Sequence, residues 1–427
     1  MLHTSPNEAR MRHVLLLATG GIAVYKAVEV MRGLQKAGTD VRVVMTADAC
    51  NMVGTATFEA LSGHPVATSL YDYPDSSIPH IDLSAWADVA VVVPATANCI
   101  AKMAQGLADD VVSTTLLACE KPIVIAASMN TRMWNNPATR ANVATLVSRG
   151  VHFVYPVCGA LACGDTGAGK LADVSTIVDA TLCVLAQATT EVPLEGKTVV
   201  ITAGPTHEAL DPVRYISNAS SGKMGYALAR AARNAGARVV LISGPVTREI
   251  PWGVNVIPVT SAAQMYDVTM AEFSQADAAI LTAAVADYTP AHPADHKLKK
   301  AFEKLNQIDL VQTKDILASV SKQAQGRVVI GFAAETNNLL EHARLKLKQK
   351  GCTMIVANDV SCPDSSFGSD TNRVALVTSN NVEQLPTMSK DEVATHIVDK
   401  LVQLMSKDDD AAHMVDTFVQ LMSEATE

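Results

Sequence analysis

Aromatic residues supply only 4% of this 427-residue chain. A β-sandwich is disfavoured by that shortage, and the abundance of Ala, Val and Gly favours helices packed closely on parallel strands, an α/β class. Positive charge is short as well: 34 Lys plus Arg stand against 43 Asp plus Glu, a net charge of -9. No overall positive field favours nucleic acid or an anionic membrane. No apolar stretch approaches the ~18 residues of a membrane span, and the short run in HVLLLATGG lacks a cleavage site and leads into a glycine turn, as a buried first strand does. The eight cysteines form no CxxC pair and sit in a chain too large to need staples, which points to reduced thiols. A soluble, cytoplasmic protein is expected.

What is present is enough apolar residue, 48% of the chain, to fill two or three domains. Two segments open alike, with an apolar run, a glycine turn and a helical pattern: VLLLATGGIAVYKAVEVMRGLQKAG (14 to 38) and KTVVITAGPTHEALDPVRYISNASSGKMGYALARAARNAG (197 to 236). Each reads as a βαβ unit. LAQATTEVPLEG (185 to 196) breaks the periodicity between them, so domains are expected over 1–190 and 191–406, with a tail over 407–427. Further strands are expected at 89–95, 122–128, 278–288, 327–336 and 353–359, and helices at 99–119, 137–149 and 337–350. Two doubly wound open-sheet domains follow, the first flavodoxin-like and the second Rossmann-like. In such sheets ligands bind at the carboxyl ends of the strands. The tail holds a near-repeat, HIVDKLVQLMS (396 to 406) and HMVDTFVQLMS (413 to 423), whose apolar spacing suits packing helices.

Several strand ends carry chemistry. Gly20 and Gly21, with Thr46 after the next strand, suit an anionic phosphate at a helix start, although such glycines are often only structural. The pattern is not GxGxxG, and Gly222-Lys223 is followed by Met224 rather than Ser or Thr, so dinucleotide and Walker sites lose ground. Thr96 and Asn98 follow one strand, and Asn130 follows another. The stretch GALACGDTGAGK (159 to 170) has the composition of a mobile flap carrying Cys163, which is poised to deliver a proton over an enclosed substrate; Cys158 reads as structural. His80 taken alone reads as a surface or capping residue. In the second half, NASSGKMG (218 to 225) suits either a phosphate cradle or a helix cap. Lys297-Leu298-Lys299-Lys300 and then Lys346, Lys348 and Lys350 could converge on a triphosphate, and Asp287 could take a ribose hydroxyl.

Taken together, TGGIAVYK, PHIDLSAWAD, PATAN, MNTRMW and ACGDTGAGK, then ITAGPTHEALDPVRYISNASSGKMG, AAVADY, KLKK, GFAAETNN and ANDV, resemble the CoaBC (Dfp) family over roughly residues 12 to 406. That family joins phosphopantothenoylcysteine decarboxylase to phosphopantothenate-cysteine ligase. The resemblance implies FMN held by Gly20, Gly21, Thr46, Thr96 and Asn98. It implies transient oxidation of the substrate thiol before CO2 is lost, with His80 assisting, Asn130 on the carboxylate and Cys163 as proton donor. It further implies CTP and Mg2+ in the ligase half, where Asn218 engages an acyl-cytidylate, Lys297 neutralises phosphate charge, and Ala283, Asp287, Lys297, Asp315, Phe332, Lys346 and Lys350 line the nucleotide site. The metal ligands stay unassigned. A homo-oligomer is implied, built from decarboxylase trimers and ligase dimers into a dodecamer, with small-molecule partners and neither nucleic acid nor membrane.

The chain departs from the family pattern at Ala127-Ser128, at Lys170, at Thr313-Lys314-Asp315, where a proline is missing, and in its doubled tail. Two rivals stand beside this reading: a single-activity enzyme with one degenerate half, and a flavodoxin-like FMN protein acting as a binding or regulatory subunit.

Overall fold

A computed structural model describes residues 11–299, 307–335, 337–359 and 368–406. Lys300, Thr336, Val360, Cys362 and the second copy of the tail repeat lie outside these residues. The chain divides into two compact units after Glu191.

In the first unit six strands, β1 (Arg12–Ala18), β2 (Thr39–Met45), β3 (Val66–Ala67), β4 (Val89–Ala95), β5 (Ile123–Ala127) and β6 (His152–Val154), form a sheet of order β3-β2-β1-β4-β5-β6. Every pairing is parallel. Apart from two-residue β3, the strands run 2-1-3-4-5, the flavodoxin-like order, and the order reverses at β1 and β4. The sheet is buried on both faces, which is why β1 and β4 read as unbroken apolar runs instead of alternating. Leu15 and Leu17 pack under α4 (Pro79–Trp86), α5 (Ala97–Gln105), α6 (Val111–Ala118) and α8 (Pro137–Ser148). The other face carries α1 (Tyr25–Lys36) and α9 (Val174–Thr189). Shorter helices α2 (Ala47–Met52), α3 (Thr55–Ser62) and α7 (Thr131–Trp134) fill strand ends, and β7 (Val157–Ala160) pairs antiparallel with β8 (Thr166–Lys170) as a separate hairpin.

The second unit contains β9 (Thr198–Ala203), β12 (Arg238–Ser243), β13 (Asn255–Pro258), β14 (Ala278–Leu281), β17 (Val328–Glu335) and β18 (Met354–Asp359), all parallel. Antiparallel β20 (Val374–Val377) and β21 (Val382–Gln384) extend this sheet, whose order is β13-β12-β9-β14-β17-β18-β20-β21. Its six parallel strands follow the dinucleotide-fold order 3-2-1-4-5-6. One face packs α10 (Lys223–Asn234) and a helix over 390–406, whose Ile397, Val398 and Leu401 are buried. The other face packs α11 (Ala262–Phe273), α12 (Ile316–Lys322) and α13 (Leu339–Lys350). Two-stranded hairpins, β10 (His207–Ala209) with β11 (Tyr215–Ser217), β15 (Tyr288–Pro290) with β16 (Leu310–Gln312), and β19 (Thr371–Asn372) with β22 (Met388–Ser389), decorate the strand ends.

Three elements differ from expectation. The helix expected over 99–119 is two, because Gly106 ends α5 at φ 71 and Asp110 opens α6 with a capping box. The strand expected to reach 288 stops at Leu281, and the chain then follows the loop after β9 through Ala284 N–H to Gly204 O (2.9 Å). Residues 185–189 stay helical in α9, where the Thr189 hydroxyl donates to Leu185 O (2.7 Å), so the break begins at Thr190.

Candidate functional site

The first unit's loops after β1, β2 and β4 are neighbours because those strands are neighbours. Buried Thr19 ties two of them together: its hydroxyl donates to Pro94 O (2.6 Å) and accepts from Thr96 N–H (3.1 Å). Gly20 allows the close approach, since a Cβ there would sit 2.2 Å from Asp48 Cβ. Thr46 and Thr96 cap α2 and α5 through Ala49 N–H and Cys99 N–H, and Asn98 is exposed in the first turn of α5. Gly20, Gly21, Thr46, Thr96 and Asn98 therefore gather at the point where strand order reverses.

Asn130 follows β5 and caps α7, its Oδ1 accepting from Arg132 N–H at 2.8 Å. Its Nδ2 donates to Cys163 Sγ (3.2 Å) and Asp165 Oδ2 (3.3 Å), which lie 33 and 35 positions further along the chain. Cys163 is exposed at the tip of the β7–β8 hairpin, where Leu161 N–H donates to Asp165 O (2.8 Å). The flap is thus an ordered hairpin. It is pinned at Gly169, whose φ is 150 and whose Cβ would meet Met129 O at 2.2 Å; Met129 N–H donates to Gly169 O (3.0 Å). Cys158, expected to be structural at the end of an apolar run, is exposed on β7, a strand that among the described residues pairs with β8 alone. His80 is the second residue of α4, with a buried Nδ1 that has no hydrogen-bond partner among the described residues. No hydrogen bond joins it to Asn130 or Cys163 among those residues.

In the second unit a cavity of about 600 Å³ opens at the carboxyl ends of β9, β14, β17 and β18. Asn218, Ala283, Asp287, Asp315, Phe332, Lys346 and Lys350 all line it. Asn218 Nδ2 donates to Ala284 O and Val285 O (both 3.1 Å), which fastens the NASS loop to the chain beyond β14. Thr313 braces the Asp287 loop: its N–H donates to Asp287 O (2.9 Å) and its hydroxyl to Ala286 O (2.7 Å). Asp315 caps α12 through Ala318 N–H and pairs with Lys350. Burial pushes its carboxyl up, but Ala318 N–H and the Lys350 ammonium outweigh that and hold it below the usual carboxylate range. Lys346 donates to Phe332 O (2.8 Å), and burial, then the Lys350 charge, pulls its ammonium down.

Lys297 does not line the cavity and is exposed. Its neighbour Leu298 is held by Asp211 and Arg214. Lys348 is exposed as well, outside the lining. Sequence reasoning missed Asp165, whose place between Gly164 and Thr166 on the flap was a usable signal. It also missed Asn372 and Lys390, which line the cavity and belong to no strand-end motif, and it assigned no role to Asn358 within ANDV, which lines the cavity too. Among the described residues no group of three or more His, Cys, Asp or Glu is arranged to hold a metal, and no helix is long and apolar enough to cross a membrane.

Residues 2–185 match the family model described as flavoprotein, and residues 194–405 match the one described as DNA/pantothenate metabolism flavoprotein C-terminal domain. The chain is 46% identical over 396 residues to the coenzyme A biosynthesis bifunctional protein CoaBC of Bacillus subtilis (strain 168), covering 92% of this chain and 97% of that one. Identity to the protein of the same name from Escherichia coli (strain K12) is 41% over 395 residues, with coverage of 92% and 97%. A crystal structure of the C-terminal domain of a coenzyme A biosynthesis bifunctional protein CoaBC is 39% identical at TM-score 0.44, covering 51% of this chain and 100% of that one.

Proposed function

The chain belongs to the CoaBC family of bifunctional coenzyme A biosynthesis enzymes, and on that premise we propose which of its residues perform each reaction. The second unit ligates cysteine to 4'-phosphopantothenate, and the first decarboxylates the 4'-phosphopantothenoylcysteine so formed to 4'-phosphopantetheine. The observation that carries the residue assignment is the contact between Asn130 and Cys163, an amide and a thiol brought together beyond the carboxyl end of β5.

The first unit fits FMN at these strand ends. Its Gly20–Gly21 turn opens a helix, where backbone N–H groups meet a phosphate, and Thr19 locks the turn against the Thr96 loop. Gly20, Gly21, Thr46, Thr96 and Asn98 would hold the cofactor. Bound there, FMN supplies a two-electron acceptor that returns what it takes, so loss of CO2 needs no external oxidant. Asn130 Nδ2 is the donor for the substrate carboxylate. Cys163 closes over the substrate with the hairpin, excludes water, and gives its Sγ proton to a carbon of the decarboxylated enethiol as that double bond is reduced. His80 assists the oxidation or decarboxylation, acting on the site of a neighbouring subunit in a trimer.

In the ligase half the carboxylate of 4'-phosphopantothenate attacks the α-phosphorus of CTP and expels pyrophosphate, after which the cysteine amine attacks the acyl carbon and CMP leaves. Asn218, held on Ala284 and Val285, meets the acyl-cytidylate. Lys346 and Lys350 neutralise developing charge in the cavity, and Lys297, exposed outside the lining, is assigned the same task on the phosphates. Ala283, Asp287, Asp315 and Phe332 hold the nucleotide. Mg2+ arrives with the phosphates, since it needs only one or two carboxylates beside substrate oxygens and water; Asp287 and Asp315 are in the cavity.

Purified protein is incubated with 4'-phosphopantothenate, cysteine, CTP and Mg2+, and the products are read by mass spectrometry. Phosphopantetheine is the expected product. Phosphopantothenoylcysteine alone would remove the decarboxylase assignment, and no product would remove both.

A further inference from the structure

The tail of the chain repeats over a longer span than its apolar core suggests. Residues 388–406 and 405–423 are identical at 13 of 19 positions, the second copy lying 17 positions further along. The differences are Glu392 to Asp409, Val393 to Asp410, Thr395 to Ala412, Ile397 to Met414, Lys400 to Thr417 and Leu401 to Phe418.

The first copy is a strand and a helix seated on one face of the second unit's sheet. Met388 and Ser389 form β22 and pair with Asn372 and Thr371 of β19. Ser389 then opens the helix with a capping box: Glu392 N–H donates to Ser389 Oγ (3.2 Å), and the Ser389 N–H and hydroxyl donate to Glu392 Oε2 (2.8 and 2.7 Å). Val393, Ala394, Ile397, Val398 and Leu401 are at most 2% exposed, in the core that also buries α10. Asp391 pairs with Arg230 (2.5 Å), and Lys400 with Glu383 (3.3 Å).

Most of what this seat reads recurs in the second copy. Met405, Ser406 and Asp409 supply the strand pair and the capping carboxylate, and Asp408 stands for Asp391. On the buried face Ala411 and Val415 are unchanged, while Met414 and Phe418 keep apolar bulk, a change that cores tolerate better than a polar one. The one polar intrusion on that face is Asp410, in the place of fully buried Val393. Burying its carboxylate is costly, and Thr417 forgoes the pair with Glu383. The first copy therefore holds the seat.

We propose that 405–423 is a second occupant for the seat filled by 388–406, reached when the chain slips by 17 residues and held in reserve by Asp410. A slip leaves 388–404 as a loop after Thr387, and the cost of closing a loop grows only with the logarithm of its length. It puts Lys407 where Lys390 lines the cavity, so the unit is complete in either register. Damage to the first copy is then tolerated by the full-length chain and not by a chain that ends at Ser406.

The test places Leu401→Asp in both of those chains and measures thermal melting of the second unit together with its ligation of cysteine to 4'-phosphopantothenate. In the shorter chain a charge at this buried position lowers ligation by about 100-fold or more and removes the melting transition. In the full-length chain, adding Asp410→Val to Leu401→Asp restores the transition and returns ligation to within about threefold of wild type, and Phe418→Asp added to these removes both again. Leu401→Asp unimproved by Asp410→Val would overturn the proposal, as would a rescue that survives Phe418→Asp. A rescue that fades on dilution, where wild type does not, would put the segment in another chain's seat and overturn the slip within one chain. A second variant, in which deletion of 388–404 joins Met405 to Thr387 and Asp410→Val is present, folds on the second copy alone; an unfolded second unit there would also overturn the assignment. Melting reports on the seat even where the ligase reading fails.

Discussion

At the residue scale the two sites depend on side chains whose roles follow from their partners. Cys163 has its thiol against Asn130 Nδ2 and 3.5 Å from Asp165 Oδ2. Replacing it by Ser keeps the shape but removes the more acidic proton. With Cys163→Ser, the oxidised, decarboxylated product accumulates while phosphopantetheine formation falls by at least about 100-fold. Mass spectrometry of the reaction mixture checks this, and an unchanged yield would remove the proton-donor role. Lys346 gives a pH dependence. Its ammonium is depressed by burial, so it loses its proton at lower pH than an ordinary lysine, and the KM for CTP rises with pH through that lowered value. For stability the sign is opposite: the folded chain releases this proton before the unfolded chain does, so the penalty of burying the charge is present at low pH and relieved as pH rises. Lys346→Arg holds its charge and shifts the kinetic limb to higher pH; a limb unmoved by Arg would assign the titration to another group.

At the element scale, the hairpin β7–β8 is held where its return strand meets the loop after β5. Gly169 makes that junction possible through its φ of 150 and the 2.2 Å that would separate its Cβ from Met129 O. Gly169→Ala strains both, a destabilisation of about 1–3 kcal/mol at the junction, and lifts Cys163 away from Asn130. Decarboxylation of supplied phosphopantothenoylcysteine drops by about tenfold or more, whereas ligation is unchanged because the second unit is untouched. A variant that decarboxylates normally would show that the hairpin need not be pinned. The same scale explains what the sequence concealed. The break between α5 and α6 is legible in Gly106 and Asp110, but the apolar spacing runs through it on both sides, and that periodicity masks the cap residues. The early end of β14 was not legible, because Thr282 through Ala286 remain apolar enough for a strand while their N–H groups turn to the loop after β9.

For the whole molecule, each unit has its own doubly wound sheet and its own buried cores. Fragments 1–191 and 192–427 are therefore expected to fold separately, the second making phosphopantothenoylcysteine and the first decarboxylating it. Circular dichroism melts and the two half-assays check this. A first fragment that folds but stays inactive until it assembles would support a site shared between subunits, the arrangement proposed for His80.

The sequence by itself determined the two α/β units and the strand ends at which ligands gather, because buried parallel strands must be continuous apolar runs and their turns must admit glycines and short polar residues. It also carried the family, since long strings such as ITAGPT to SSGKMG survive without any structure. Tertiary structure decided what those strings touch. Asn130 and Cys163 meet only because a hairpin folds back across the end of β5. Lys390 reaches the cavity only because the helix it opens packs on the face of the sheet opposite α13, a placement fixed by Ile397, Val398 and Leu401 in the core. Contacts between residues far apart in the chain follow from how layers pack, and local pattern carries no record of that.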